Sequence, residues 1–163
     1  MLNPTFIELS AKKMVGCCIY TTGNQTDFPS IWNVFMKRKK EIPSTVNQSP
    51  TYAVEFYGEE FFSEGKWFYM PCVEVESLDS IPMYMVGKTI PAARYAVFEH
   101  KGGVEGIHDL FQYIYKEWLP TSEFELAYPF DMEVYDERFL GIDNSESILS
   151  IYVPVKKKQR NLY

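Results

Sequence analysis

The chain has 163 residues, 46% of them hydrophobic and 23% charged, with a formal net charge of −6. This length suits one domain, able to bury about 70% of the surface its unfolded form exposes. The acidic balance excludes a general affinity for nucleic-acid backbones, which depends on clustered Lys and Arg. No apolar run nears the roughly 20 residues of a membrane span, and Met1-Leu2-Asn3-Pro4-Thr5 has neither the positive cluster nor the apolar stretch of a leader, so a cytoplasmic location without membrane contact is expected.

In chain order, residues 5–20 alternate well enough for a strand, or for two short ones broken near Ser10-Ala11-Lys12-Lys13. A turn is expected at Gly23-Asn24-Gln25. Thr26 or Asp27 can then cap a helix over 29–42, with Pro29 in its first turn and an apolar stripe of Ile31, Trp32, Phe35 and Met36 ending before Pro43. Residues 52–61 and 66–76 predict two strands around Ser63-Glu64-Gly65, and 77–87 a connector. The order then restarts. A strand over 89–99 and a turn at Gly102-Gly103 precede a helix over 104–119, whose stripe of Ile107, Leu110, Phe111, Ile114 and Trp118 stops at Pro120. Strands over 130–139 and 147–155 follow, then a polar tail at 156–163.

The restart is visible in the letters. Glu55-Phe56-Tyr57-Gly58-Glu59-Glu60-Phe61 recurs seventy-eight positions later as Glu133-Val134-Tyr135-Asp136-Glu137-Arg138-Phe139. Tyr69-Met70-Pro71 matches Tyr152-Val153-Pro154 at an offset of 83, the second copy carrying an extra loop over 140–147. The fold expected is α+β: two strand-helix-strand-strand repeats, about 5–76 and 88–155, sharing an antiparallel sheet with both helices on one face. Residues 12–22 should overlie 90–100, and helix 29–42 should overlie 104–119. A seam between two such halves is a common place for a pocket.

Candidate chemistry gathers on the repeated motif. On a strand, Glu133, Tyr135, Glu137 and Phe139 share a face, as do Glu55, Tyr57, Glu59 and Phe61. A carboxylate one pleat from a phenol, inside an aromatic enclosure, attracts lipophilic cations by charge pairing and cation–π contact, each worth about 1–2 kcal/mol without water. Periodicity alone favours the plainer reading of a solvated polar face, and Glu59 and Glu137 are taken as surface. Trp32, Phe111 and Trp118 lie on helical stripes suited to a core or to pocket walls. With 12 tyrosines in the chain, some of Tyr52, Tyr57, Tyr69, Tyr113, Tyr115, Tyr135 and Tyr152 are expected to line a groove. Cys17, Cys18 and Cys72 lack metal-ligand spacing, as do His100 and His108, so neither metal nor cofactor is expected. Lys37-Arg38-Lys39-Lys40 and Lys156-Lys157-Lys158 read as solvated charge rather than a nucleic-acid site.

The segments Ile90-Pro91-Ala92-Ala93-Arg94-Tyr95-Ala96-Val97-Phe98-Glu99-His100-Lys101-Gly102-Gly103, Glu117-Trp118-Leu119-Pro120, Phe130-Asp131-Met132-Glu133-Val134-Tyr135-Asp136 and Ile151-Tyr152-Val153-Pro154-Val155 resemble the GyrI-like small-molecule-binding family. That family includes effector domains of AraC-type and MerR-type multidrug regulators. The resemblance implies a pseudo-twofold axis between the repeats, a ligand groove over the central strands, and a glutamate among aromatic side chains at Glu133. It implies a binder of hydrophobic, often cationic, aromatic compounds. Glu133 supplies charge, Tyr135 and Tyr57 supply polar contacts, Trp118, Phe111, Trp32 and Phe35 supply walls, and Glu55 and Tyr69 join them. No DNA-binding module is expected beside the two repeats, hence no direct sequence-specific DNA binding. Two alternatives stand behind this reading. One is a hydrolase of cyclopropane-bearing alkylating natural products, with Glu133 as general base and Tyr135 as proton donor; the other is a protein-interaction module acting on a larger partner such as DNA gyrase. No Ser-His-Asp order or glycine-rich phosphate loop supports the enzyme.

Overall fold

The computed structural model describes residues 3–23 and 26–159; Asn24 and Gln25 of the anticipated turn, and residues 160–163 of the tail, lie outside them. The elements are β1 (Thr5–Leu9), β2 (Lys12–Gly16), β3 (Ile19–Thr21), α1 (Phe28–Arg38), β4 (Thr51–Phe56), α2 (Glu59–Glu64), β5 (Trp67–Val75), β6 (Val86–Ile90), β7 (Ala93–Lys101), α3 (Ile107–Tyr113), α4 (Leu119–Thr121), β8 (Phe124–Leu126), β9 (Phe130–Tyr135) and β10 (Ile148–Lys157). Asp27 caps α1, its carboxylate accepting from the Ser30 N–H at 3.2 Å, with Pro29 in the first turn and Lys37 and Arg38 in the last. Between α3 and α4 the helix continues as a π-helical turn, Ile114–Trp118, in which the Leu119 N–H reaches the Ile114 carbonyl. Pro120 has no N–H to offer the turn before it and its ring crowds that turn, so the helix widens rather than stopping where the sequence reading ended it.

The ten strands of the described residues join one antiparallel sheet in the order β1-β7-β10-β9-β4-β5-β2-β6, with β3 on β5 and β8 on β10. The order is symmetric about the β4–β9 pair: β5 answers β10, β2 answers β7, and each half lends its first strand to the other, β1 to β7 and β6 to β2. Val54 lies directly opposite Met132, its own repeat equivalent, so the pseudo-twofold axis passes through that pair. The segments 12–22 and 90–100 thus hold matching positions in the sheet, and α1 answers α3.

The sequence offsets need one correction. Glu55 faces Tyr69 across β4–β5, whereas Glu133 faces Ile151 across β9–β10, so Tyr69 corresponds to Ile151 rather than to Tyr152. The outer strands are each one residue out from the anticipated match, and a one-residue slip reverses every side chain. Tyr69 accordingly lies on the helix side, while Tyr152 packs on the opposite side against Tyr95.

Several boundaries also differ. Gly58 starts α2 and Gly65, at φ +64°, ends it, so residues 59–64 are a helix instead of strand and Glu59 and Phe61 leave the strand face. After Tyr135, Asp136 accepts from the Arg138 N–H at 2.9 Å and turns the chain, removing Glu137 and Phe139 from that face. The expected strand over 89–99 is two, β6 and β7, parted at Pro91 and Ala92, and β6 begins inside the anticipated connector. Helix α3 begins at Ile107, after a turn through Val104.

Side-chain alternation sorts the sheet into two faces. Met14, Tyr52, Val54, Met70, Cys72, Tyr95, Phe130, Met132 and Val134 form one buried cluster to which no helical residue belongs, so curvature of the sheet covers it. On the other face Phe35 of α1 packs with Val15, Cys17 and Val73, and Leu110 and Ile114 pack with Phe98, Ile151 and Val153. No described helix is long and apolar enough to cross a membrane.

The extra loop of the second repeat is seated by close backbone approach. The Val104 N–H donates to the Ile142 carbonyl at 2.9 Å, and a Cβ on Gly103 would lie 1.7 Å from that oxygen. Gly103→Ala is expected to destabilise the protein by about 1–3 kcal/mol, since the obstacle is backbone. Urea unfolding checks this, and an unchanged midpoint would contradict it.

Candidate functional site

The two central strands carry the site. Tyr52, Val54, Phe130, Met132 and Val134 face the curled cluster, so Ala53, Glu55, Asp131 and Glu133 face the helices. Asp131 is fully buried, and Glu55 and Glu133 are each 8% exposed. Glu55 lies directly opposite Asp131, and Glu133 opposite Ala53, so three carboxylates crowd the symmetry axis.

Each end of this group has its own aromatic shell. Tyr135 and Tyr69 donate their hydroxyls to Glu133 Oε2 at 2.7 and 3.2 Å, and the Trp32 Nε1–H of α1 donates to the Tyr69 hydroxyl at 2.9 Å. Trp32 also meets Tyr135 edge-on at 4.9 Å, and Phe28 meets Tyr69 at 4.8 Å. At the other end Tyr57 donates to Asp131 Oδ2 at 2.8 Å and to Glu55 at 3.5 Å. Tyr115, delivered by the π-helical turn, donates to the same Asp131 oxygen. Phe61 packs against Tyr57 and Trp67. Among the described residues, buried Asp131 Oδ1 and Trp67 Nε1 lack a hydrogen bond of normal geometry, although the Trp67 indole lies near enough to Glu55 to favour its ionised form.

Electrostatics follow from burial. Loss of hydration pushes the Glu133 carboxyl above the usual range, partly offset by hydrogen bonds from Tyr135 and Tyr69. Burial and the neighbouring charges of Asp131 and Glu133 push Glu55 well above its ordinary value. Asp131 is pushed up to about 7, first by burial, against the hydrogen bonds from Tyr115 and Tyr57. Among the described residues, the charges acting on these groups are one another's and include no Lys or Arg. Among the described residues, no group of three or more His, Cys, Asp or Glu is arranged to hold a metal ion.

Of the residues singled out from sequence, Glu133, Tyr135, Glu55, Tyr57, Tyr69 and Trp32 come together here. Phe35 is fully buried in the core beneath α1, reaching the cluster only through its edge-on contact with Trp32. Phe111 packs against the core under α3, and Trp118 stacks with Phe124 and meets Phe6 and Phe98, so neither joins the carboxylates. Asp131, Trp67 and Phe28 are site residues that the sequence motifs do not mark, Tyr115 is marked only as one of seven candidate tyrosines, and Phe61 reaches Tyr57 from α2 instead of from the expected strand face. The period-two run Asp131-x-Glu133-x-Tyr135 was the signal for Asp131. Two surface depressions of about 270 Å³ lie elsewhere, one lined by Tyr20, Thr21, Thr22, Thr26 and Lys66, the other by Lys39, Thr45, Val46, Asn47, Gln48, Ser49 and Val73.

Known proteins share the fold that carries this geometry. A family model described as a GyrI-like small molecule binding domain matches residues 2–156. The transcriptional regulator BrlR of Pseudomonas aeruginosa is 28% identical over 154 residues, which is 94% of this chain and 56% of that protein, so the chain spans about half its relative's length. Among solved structures, SAV2435 bound to tetraphenylphosphonium has a TM-score of 0.75 at 16% identity, covering 95% of this chain and 94% of the other. The EcmrR C-terminal domain also has a TM-score of 0.75 at 16% identity, covering 97% and 99%. A hydrolase encoded by lin2189 from Listeria innocua has a TM-score of 0.55 at 9% identity, covering 94% and 92%. At such identities the solved structures establish a common fold.

Proposed function

Because the chain belongs to the GyrI-like small-molecule-binding family, we propose that it binds hydrophobic organic cations at the buried carboxylates, with Glu133 as the electrostatic anchor. The observation that carries this reading is a group of three buried carboxylates, walled by Trp32, Tyr57, Tyr69, Tyr115 and Tyr135, with no Lys or Arg of the described residues paired to them. Buried carboxylates are costly when ionised and unpaired, and an aromatic cation both neutralises them and gains cation–π contact. Tetraphenylphosphonium, the ligand of SAV2435, belongs to this chemical class. Glu133 and its two tyrosines hold the charge, while the rings of Trp32 and Phe28 form the wall. The rings that cover the carboxylates have to part for a ligand to reach them. Trp32 on α1 and Tyr115 on the π-helical turn are the side chains that move, and such turns often accompany sites of this kind.

The test is calorimetric titration with tetraphenylphosphonium and with its neutral relative triphenylphosphine oxide. Glu133→Gln keeps the shape and removes the charge. The cation is expected to lose about 1.5–3 kcal/mol of affinity, the worth of a hydrogen-bonded charged contact, and the neutral compound much less. Equal losses for both, or no binding of the cation by the native protein, would remove Glu133 from this role.

A further inference from the structure

The proposed cation site has two negative centres rather than one, and they are unequal. Across the pseudo-twofold axis Glu55 and Glu133 are repeat equivalents, each with a tyrosine two residues on: Tyr57 donates to Glu55 and Tyr135 to Glu133. The first repeat has Ala53 where the second has Asp131, so the Glu55 end carries a second carboxylate. Asp131 is fully buried, and its Oδ1 has no partner among the described residues even though two tyrosine hydroxyls are bonded to its other oxygen. An unsatisfied acceptor of this kind, buried beside two further carboxylates, points to a missing positive group. A single charge at Glu133 leaves the Glu55–Asp131 pair uncompensated. Glu133 sits one pleat from Asp131 along β9 and diagonally across from Glu55, which puts the two centres about 7 Å apart.

Resting on the reading of the site as a cation pocket, we propose that it is built for flat aromatic dications, one positive centre meeting Glu133 and the other the Glu55–Asp131 pair. Trp32, Tyr69 and Tyr135 face the first centre, and Tyr57, Tyr115 and Trp67 the second. Bipyridinium compounds fit this description, since their two ring nitrogens stand a comparable distance apart on a rigid aromatic frame.

Methyl viologen and 1-methyl-4-phenylpyridinium have nearly the same shape and differ by one charge, so their comparison isolates the second centre. Methyl viologen is expected to bind with one-to-one stoichiometry and about tenfold or more tighter than the monocation, each tenfold corresponding to one additional modest charge contact. Asp131→Asn and, separately, Glu55→Gln should each reduce that preference to about threefold or less, weakening methyl viologen by a larger factor than the monocation. Glu133→Gln should weaken both compounds. Equal affinities in the native protein, two monocations bound per chain, or a preference that survives both Asp131→Asn and Glu55→Gln would each overturn the dication proposal. Tetraphenylphosphonium serves as the reference: if it binds and the dication shows no advantage, only this inference fails, whereas loss of binding by all three compounds overturns the cation site itself. Thermal melts of each variant establish that it is folded.

Discussion

Asp131→Asn is expected to make the ligand-free protein more stable than the native form at pH 8 and slightly less stable at pH 4. The folded-state pKa of Asp131 is pushed up from 3.8 to about 7, first by burial. A carboxyl raised in this way contributes its full stability below the unfolded value near 4, and that contribution is lost as pH rises through 7, because the unfolded chain ionises freely and the folded one does not. Across this interval the difference approaches ~4 kcal/mol, an upper figure because Glu55 and Glu133 titrate with it. Asparagine carries no charge to bury, so the variant escapes the penalty at pH 8. At pH 4 the native carboxyl is already neutral, and the amide only disturbs the hydrogen bonds from Tyr57 and Tyr115, at a cost of about 1 kcal/mol. The melting temperature of the native protein should therefore fall between about pH 4 and pH 7, and the variant's should fall less. Melting curves at half-unit steps from pH 4 to 8 decide the matter. A variant less stable than the native protein at pH 8 would mean that hydrogen bonding by Asp131 outweighs its buried charge.

The sequence carried the architecture because the duplication repeats a pattern of period two. Glu55-x-Tyr57 and Glu133-x-Tyr135 lie on the strands at the symmetry axis, where the offset of 78 holds residue for residue. It failed further out, where residues such as Tyr69 and Tyr152 look alike in letters but lie on opposite faces, since pairing register is set by neighbouring strands and not by the strand itself. Helix stripes were less informative about the site than strand alternation. Trp32, Phe35, Phe111 and Trp118 all read as apolar helical positions, yet only Trp32 reaches a carboxylate network, because the others are taken up by the packing of α1 and α3 on the sheet. Asp131 is not legible from the repeat because its equivalent is Ala53, and the symmetry of the letters reports only what both copies share. Tyr115 depends on the π-helical turn, a change of helical phase that a regular stripe does not report.

The affinity for tetraphenylphosphonium is expected to fall steeply as pH is lowered below about 7, and the neutral analogue's affinity is not. A cation favours the ionised carboxylates, so in the complex their pKa values drop, and protons compete with the ligand wherever the free groups hold them. In the free protein Glu133 and Glu55 are raised above the usual range and Asp131 is pushed up to about 7, so protons compete with the cation from above the ordinary carboxylate values up to at least that pH. With one proton displaced per ligand the affinity changes up to about tenfold per pH unit, which makes the loss between pH 7.5 and 5.5 as large as roughly a hundredfold. Tyr69 and Tyr135 do not contribute, because burial and the adjacent Glu133 charge push both phenols up and keep them protonated throughout. Calorimetry in two buffers with different ionisation enthalpies measures the released protons directly. About one proton at pH 6.5 is expected for the native protein, and fewer for Glu133→Gln and Asp131→Asn. A cation affinity that stays level across that range would mean the carboxylates are already ionised before the ligand arrives, and the burial that defines the site would then have to be relieved by solvent reaching it.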